Sequence, residues 1–154
     1  MERAAPAIGE LGRQRLEQTR VVLLATLRGD GSPRVSPVEP YLYDGHLLFG
    51  SMAWSAKTRD LLRDPRCSLH SAITGPDSGD GELKLHGRAS QANERLRSAC
   101  REGWWSAQPH EAAVVFDLDI EQAVFISWDL EHGEMLSMRW SPARGYREAR
   151  RRYP

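Results

Sequence analysis

The stretch Val21-Val-Leu-Leu-Ala-Thr-Leu-Arg28-Gly29-Asp30-Gly31-Ser32-Pro-Arg34-Val35-Ser36-Pro37-Val-Glu-Pro40-Tyr-Leu-Tyr43-Asp44-Gly45-His46-Leu-Leu-Phe49-Gly-Ser51 decides the fold class. Its β-rich apolar runs are joined by Gly29-Asp30-Gly31 and by Asp44-Gly45, both sequences that supply the positive φ a hairpin turn needs. Residues 32–43 stay extended but contain Pro37 and Pro40. Proline cannot donate to a ladder, so this strand is expected at an edge or with a bulge.

Beyond this stretch the period changes. Trp54, Thr58, Leu61 and Leu62 fall at i, i+4, i+7 and i+8, a helical stripe that Asp64-Pro65 ends. Strand alternation returns with Cys67, Leu69, Ser71 and Ile73 on one face, followed by a polar Gly/Pro/Asp/Ser loop over 75–81. Leu83, Leu85, Gly87 and Ala89 then alternate with Lys84, His86 and Arg88, the pattern of a half-exposed antiparallel strand. Ala92, Leu96, Ala99 and Cys100 suggest a helix ended by Gly103. Further runs follow at Val114, Phe116, Leu118 and Ile120, at 123–128, and, after the turn Glu131-His132-Gly133, at 134–140. Upstream, Ile8, Leu11 and Leu16 mark a weakly amphipathic helix over 8–19.

Roughly seven short strands joined mainly by hairpins, with three helices between them, predict a mainly β (α+β) antiparallel barrel. The connections are too short for repeated parallel crossovers. The expected organisation is an N-terminal helix or arm over 1–20, a barrel domain over 21–141, and an arginine-rich tail over 142–154, solvated and only partly ordered.

At 154 residues the chain is long enough for one domain with a real core. Its net charge of zero predicts neither a nucleic-acid nor an anionic-membrane partner. Residues 1–11 lack the apolar run of a signal peptide, and nothing approaches a membrane span, so a cytoplasmic location is expected. Cys67 and Cys100 suit reduced packing residues better than a disulfide scaffold or a zinc site. Lysine occurs only at Lys57 and Lys84.

One of those lysines stands in Ser51-Met-Ala-Trp-Ser55-Ala-Lys57-Thr58-Arg59. With Ser55 as N-cap, Lys57 and Arg59 crowd the positive end of a helix dipole, where cations are disfavoured. An anion among them resolves the conflict: free backbone N–H groups, the Ser and Thr hydroxyls and Lys57 would cradle a phosphate. The competing reading is a solvated helix start with long side chains turned away.

The runs Leu23-Leu-Ala-Thr-Leu-Arg28, Asp30-Gly-Ser-Pro-Arg-Val-Ser-Pro-Val38, Asp44-Gly-His-Leu-Leu-Phe49 and Ser55-Ala-Lys-Thr-Arg-Asp-Leu-Leu-Arg-Asp-Pro-Arg-Cys-Ser-Leu69 resemble the N-terminal half of the FMN-binding split-barrel family. That family includes the pyridoxamine 5′-phosphate oxidases and the deazaflavin (coenzyme F-420)-dependent reductases. Leu83-Lys-Leu-His-Gly-Arg-Ala89 is similar to its mid-barrel strand. The resemblance covers residues 20–90 closely and the remainder in outline.

The resemblance implies an antiparallel split β-barrel with short flanking helices, a homodimer, and a flavin, FMN above all, in a groove between subunits. By that analogy Arg34, Ser55 and Lys57, with the Thr58 hydroxyl beside them, hold the phosphate, and Ser51 lies beside the ribityl chain. Val35, Ser36 and Pro37 run along the ring. Glu82 stands where an amide side chain often contacts flavin, and Asp60 where many relatives carry asparagine. Trp140 would cover the cofactor from the partner subunit, or serve as a core aromatic. The arginine-histidine signature of true pyridoxamine phosphate oxidases is not recognisable in 139–153.

The implied activity is hydride transfer between FMN and a small organic substrate. The alternatives are a deazaflavin F-420-dependent reductase and a non-catalytic flavin or haem carrier or sensor. The cofactor would carry the reaction, so no catalytic side chain is assigned. His46, His70, His86, His110 and His132 show no ligand spacing, so no metal site is expected and none is selected for haem. Trp104 and Trp105 read as core or interface aromatics. Trp128, Met135 and Met138 lack an obvious internal partner, a second reason to expect a homodimer. Arg144, Arg147, Arg150, Arg151 and Arg152 read as a solvated run or as a clamp for an anionic tail.

Overall fold

Both hairpin turns form where the sequence places them. In the computed structural model, which describes residues 4–72, 75, 79–103 and 113–153, β1 (Val22–Leu27) turns into β2 (Pro33–Val38). The Arg28 N–H donates to the Ser32 carbonyl at 2.9 Å, and Gly31 has φ +82°. β3 (Pro40–Tyr43) turns into β4 (His46–Met52) through Asp44 and Gly45 at φ +48° and +80°. Two successive positive φ values match the right-handed twist of the flanking strands.

The remaining elements are α1 (Pro6–Thr19), α2 (Ala56–Arg63), β5 (Arg66–Ser71), β6 (Glu82–Gln91), α3 (Glu94–Gly103), β7 (Ala113–Asp129), β8 (Glu134–Ser141) and β9 (Gly145–Arg152). All strand pairs are antiparallel, in the order β2-β1-β5-β6-β7-β4-β3, with β8 on β7 and β9 on β8. Among the described residues no helix is long and apolar enough to cross a membrane.

The extended run 32–43 breaks at Glu39. Its halves, β2 and β3, stand at the two ends of the strand order. Pro37 and Pro40 therefore lie on end strands, where a missing donor is tolerated. The runs at 114–120 and 123–128 are one strand, β7, of 17 residues. Its first part pairs with β4 and its second with β8, while β6 follows it along the other side. Gly87 faces Ile120 and His86 faces Gln122, so Glu121 is an extra residue, a β-bulge. A Cβ at Gly87 would lie 2.0 Å from the Asp119 carbonyl oxygen, so only glycine fits this crossing.

The main core is lined by Leu24, Leu69, Leu85, Phe116 and Phe125, with Phe49 and Phe116 stacked at 5.6 Å. A second cluster of Leu48, Ala92, Leu96, Cys100 and Val115 forms where α3 covers the other face of β4 and β7.

Several expectations change. Trp54 and Leu62 are exposed; α2 buries Thr58, Asp60 and Leu61, because a polar contact rather than a full apolar stripe docks it. Met138 is in the core and does not wait for a second subunit. The segment 145–152 is a strand, not a partly ordered tail. Backbone pairing with β8 orders it although every one of its side chains is exposed. Ile73, Trp104, Trp105, His110 and positions 76–78 of the loop over 75–81 lie outside the described residues.

Candidate functional site

The start of α2 is fixed by a chain of hydroxyls. Ser55 is the N-cap, and its Oγ accepts the Thr58 N–H at 3.3 Å. Thr58 Oγ1 donates to the Met52 carbonyl at 2.8 Å, so in its 3.1 Å contact with Ser55 it must accept. Ser55 therefore donates to Thr58, and Ser51, 2.7 Å away, donates to Ser55. All three hydroxyl protons point the same way along the chain and none is left over.

What remains open is nitrogen. The backbone N–H groups of Ala56 and Lys57 have no acceptor among the described residues, nor has the Lys57 ammonium. The first turn of a helix leaves such groups unsatisfied by construction, and the dipole adds partial positive charge. Arg59 is not part of this set: it turns back to donate to the Trp54 carbonyl at 2.6 Å.

A second cation is delivered from the sheet. Arg34 on β2 donates from Nε to Asp60 Oδ2 at 2.7 Å. Thr26, opposite Arg34 on β1, donates to the same oxygen at 3.0 Å. Arg63 lies 3.3 Å from Oδ1. Asp60 is 4% exposed. Burial pushes its carboxyl up, but the hydrogen bonds from Arg34 and Thr26 and the Arg34 charge outweigh that, and the pKa is held below the usual carboxylate value. The terminal amino groups of Arg34 have no partner among the described residues. Asp60 is five residues from Ser55, roughly 7.5 Å along the helix axis. Arg34 and the open α2 terminus thus belong to one neighbourhood, rich in donors and in positive charge.

The structure therefore groups Arg34, Ser51, Ser55, Lys57 and Thr58. Val35, Ser36 and Pro37 continue along β2 away from Arg34, with Val35 62% exposed. Glu82 and Trp140 stand apart. Arg34, Thr26, Cys67 and Gly87 occupy one level of the sheet by register, and Glu82 is five residues further along β6, roughly 17 Å. Glu82 is buried and ion-paired to Lys84 at 2.5 Å, with His70 Nε2 3.3 Å from its carboxylate. Trp140 belongs to the core cluster and is 9% exposed, so little of its ring is available to a ligand. Thr26 and the anchoring role of Asp60 escape sequence reading. The carboxylate is 26 residues from the arginine it holds, and no local spacing connects them.

The family model for pyridoxamine 5′-phosphate oxidase matches residues 9–126, which include every residue of this cluster. The chain belongs to the pyridoxamine 5′-phosphate oxidase family. A comparison with curated proteins finds no match. Among solved structures the chain is similar to PhzG from Burkholderia lata 383, in complex with tetrahydrophenazine-1-carboxylic acid, at 14% identity and TM-score 0.72, over 97% of this chain and 93% of that one. It is similar to a pyridoxamine 5′-phosphate oxidase-related, FMN-binding protein from Nostoc punctiforme PCC 73102 at 12% identity and TM-score 0.68, over 95% of each chain. It is also similar to a haem-binding protein from Mycobacterium smegmatis at 17% identity and TM-score 0.67, over 96% and 89%. At these identities the likeness is one of fold: the split barrel of pyridoxamine 5′-phosphate oxidase relatives is the fold of this chain.

Proposed function

We propose that the chain is a homodimeric FMN-binding oxidoreductase of the pyridoxamine 5′-phosphate oxidase type, acting on a small organic substrate. The observation that carries this reading is the unpartnered donor set at α2: two backbone N–H groups, the Lys57 ammonium and the terminal amino groups of Arg34. A phosphate monoester supplies the acceptors these groups lack.

Bound FMN would supply the hydride chemistry. Asp60 holds Arg34 from its Nε side, so the remaining fork meets the phosphate pre-oriented. The hydroxyl chain through Ser51, Ser55 and Thr58 keeps the helix start in place while the nitrogens bind. Ser36 and the backbone of β2 provide polar edges along the groove. The exposed side chains of Val21, Leu23 and Val35 form an apolar patch; Leu23 and Val35 share the outer face of β1 and β2, and a second subunit would cover them.

The test is reconstitution. Purified protein titrated with FMN should bind it stoichiometrically and show the flavin band near about 450 nm. A band near about 420 nm after incubation with deazaflavin F-420, or near about 410 nm with haem, and no uptake of FMN, would overturn the choice of cofactor.

A further inference from the structure

The hairpin of β8 and β9 has two faces of different character. On one lie Glu134, Glu148, Arg150 and Arg152. Arg150 bridges Glu134 at 3.2 Å and Glu148 at 3.9 Å, and Arg152 is directly opposite Glu134. That face is balanced, two acids to two arginines.

The other face holds Arg139, Arg147 and Arg151 and no acid. By register three of its rows are Trp128, Met135 and Arg151; then Ile126, Ser137 and Ala149, continued on β6 by Glu82; then Val124, Arg139 and Arg147, continued by Lys84. The middle row is floored at its β8–β9 end by the two smallest side chains, and the rows are roughly 6.7 Å apart. A shallow trough results, with arginines on both banks.

Arg139 and Arg147 are a directly opposed like-charge pair, an arrangement that destabilises a sheet. No acid on the described part of the hairpin face relieves it. Arg139 donates from Nε to Ser137 Oγ at 3.2 Å, while Arg147 and Arg151 have no hydrogen bond or ion pair among the described residues. β9 contributes no buried side chain, so packing does not explain this placement either. On the hairpin, glutamates offset the arginines of one face and are missing from the other; the acid beyond it in the middle row, Glu82 on β6, is already paired to Lys84.

We propose that this trough is a binding site for a phosphate-rich anion, distinct from the cofactor site at α2. By register Arg139 and Arg147 stand on one side of the Ser137–Ala149 pair and Arg151 on the other, each row roughly 6.7 Å from it. The planar forks of these arginines match phosphoryl oxygens in a way that lysines would not. A pyrophosphate unit spans the gap between the banks, with Arg139 and Arg147 on one side and Arg151 on the other. The site stands on β8 and β9, whereas the α2 cluster stands on β1, β2 and β4, so each reading survives failure of the other.

Isothermal titration of the full chain with inorganic pyrophosphate, and separately with adenosine diphosphate, tests this at low ionic strength. Arg147→Gln and Arg139→Gln should each weaken binding roughly tenfold or more, the size of a lost charge-assisted bond. Arg150→Gln, on the balanced face, should leave it unchanged, and binding should persist in Lys57→Ala. Tighter binding of adenosine diphosphate than of pyrophosphate identifies an organic phosphate as the source, and equal binding identifies the phosphoryl unit alone. An affinity unchanged in Arg147→Gln, or abolished by Lys57→Ala, overturns the proposal, as does an absence of binding by the wild type. The substituted arginines are exposed, and circular dichroism melts confirm that each variant is folded.

Discussion

Asp60 grips Arg34 by its Nε at 2.7 Å and leaves the terminal amino groups without a partner among the described residues. In the proposed phosphate site this carboxylate would therefore not compete for the whole arginine; it fixes the arginine from behind. The pKa of Asp60 is lower in the folded chain than in the unfolded one, so its contribution to stability is complete above about pH 4 and is lost as pH falls through the folded value. Asp60→Asn should melt below wild type at pH 6, and the gap should narrow toward pH 3. A gap of constant size across that range would show that the charge of Asp60 does not matter to the fold.

Lys57→Ala should weaken FMN binding roughly tenfold or more, as loss of a charge-assisted contact does, with no change in melting temperature. Among the described residues the side chain makes no hydrogen bond or ion pair. Fluorescence titration of the apo-protein measures the affinity, and equal affinities in mutant and wild type would remove Lys57 from the site.

Val35→Glu places a charge on the most exposed apolar side chain of the β1–β2 outer face. The double variant with Leu23→Glu should be monomeric in multi-angle light scattering while the wild type is a dimer. A wild type with the mass of one chain at micromolar concentration would contradict the assembly outright.

Gly87→Ala forces a methyl group against a backbone oxygen that has nowhere to go. The expected destabilisation is about 3 kcal/mol, a melting temperature lower by on the order of 5–10 °C. A change of less than a degree would mean that the bulge at Glu121 relaxes freely.

Burial pushes the Cys67 thiol up to about 12 and the Cys100 thiol up to about 11. Neither should react with a disulfide reagent at pH 8 until the protein is unfolded, because the thiolate is the reactive form. Rapid labelling of the native chain would disagree with the packing of both.

The hairpins, the end-strand prolines and the Ser55 cap were legible in the sequence because each is a local signal: two turn residues, a missing donor, a hydroxyl three residues before the amide it accepts. β7 was not. Phe116, Leu118 and Ile120 point inward at even numbers, but Ala123 and Phe125 do so at odd ones, because the extra residue at Glu121 shifts the alternation by one. A single strand therefore reads as two runs out of phase. β9 was illegible for the opposite reason: with every side chain in water it has no apolar period to detect. In the site, the cap and Lys57 were visible as neighbours in sequence, whereas the Thr26–Asp60–Arg34 bond network depends on strand register and is visible only in the fold.

A strand paired through its backbone, with every side chain exposed, leaves those side chains free to change. Substitutions on exposed surfaces away from special features typically move stability by no more than about 0.5 kcal/mol. The composition of β9 is therefore nearly uncoupled from whether the barrel folds, and the match to the family model ends at residue 126, before this strand begins. Over evolutionary time such an arm is a writable margin: its charges can be redrawn for a new ligand while the barrel that carries it stays the same.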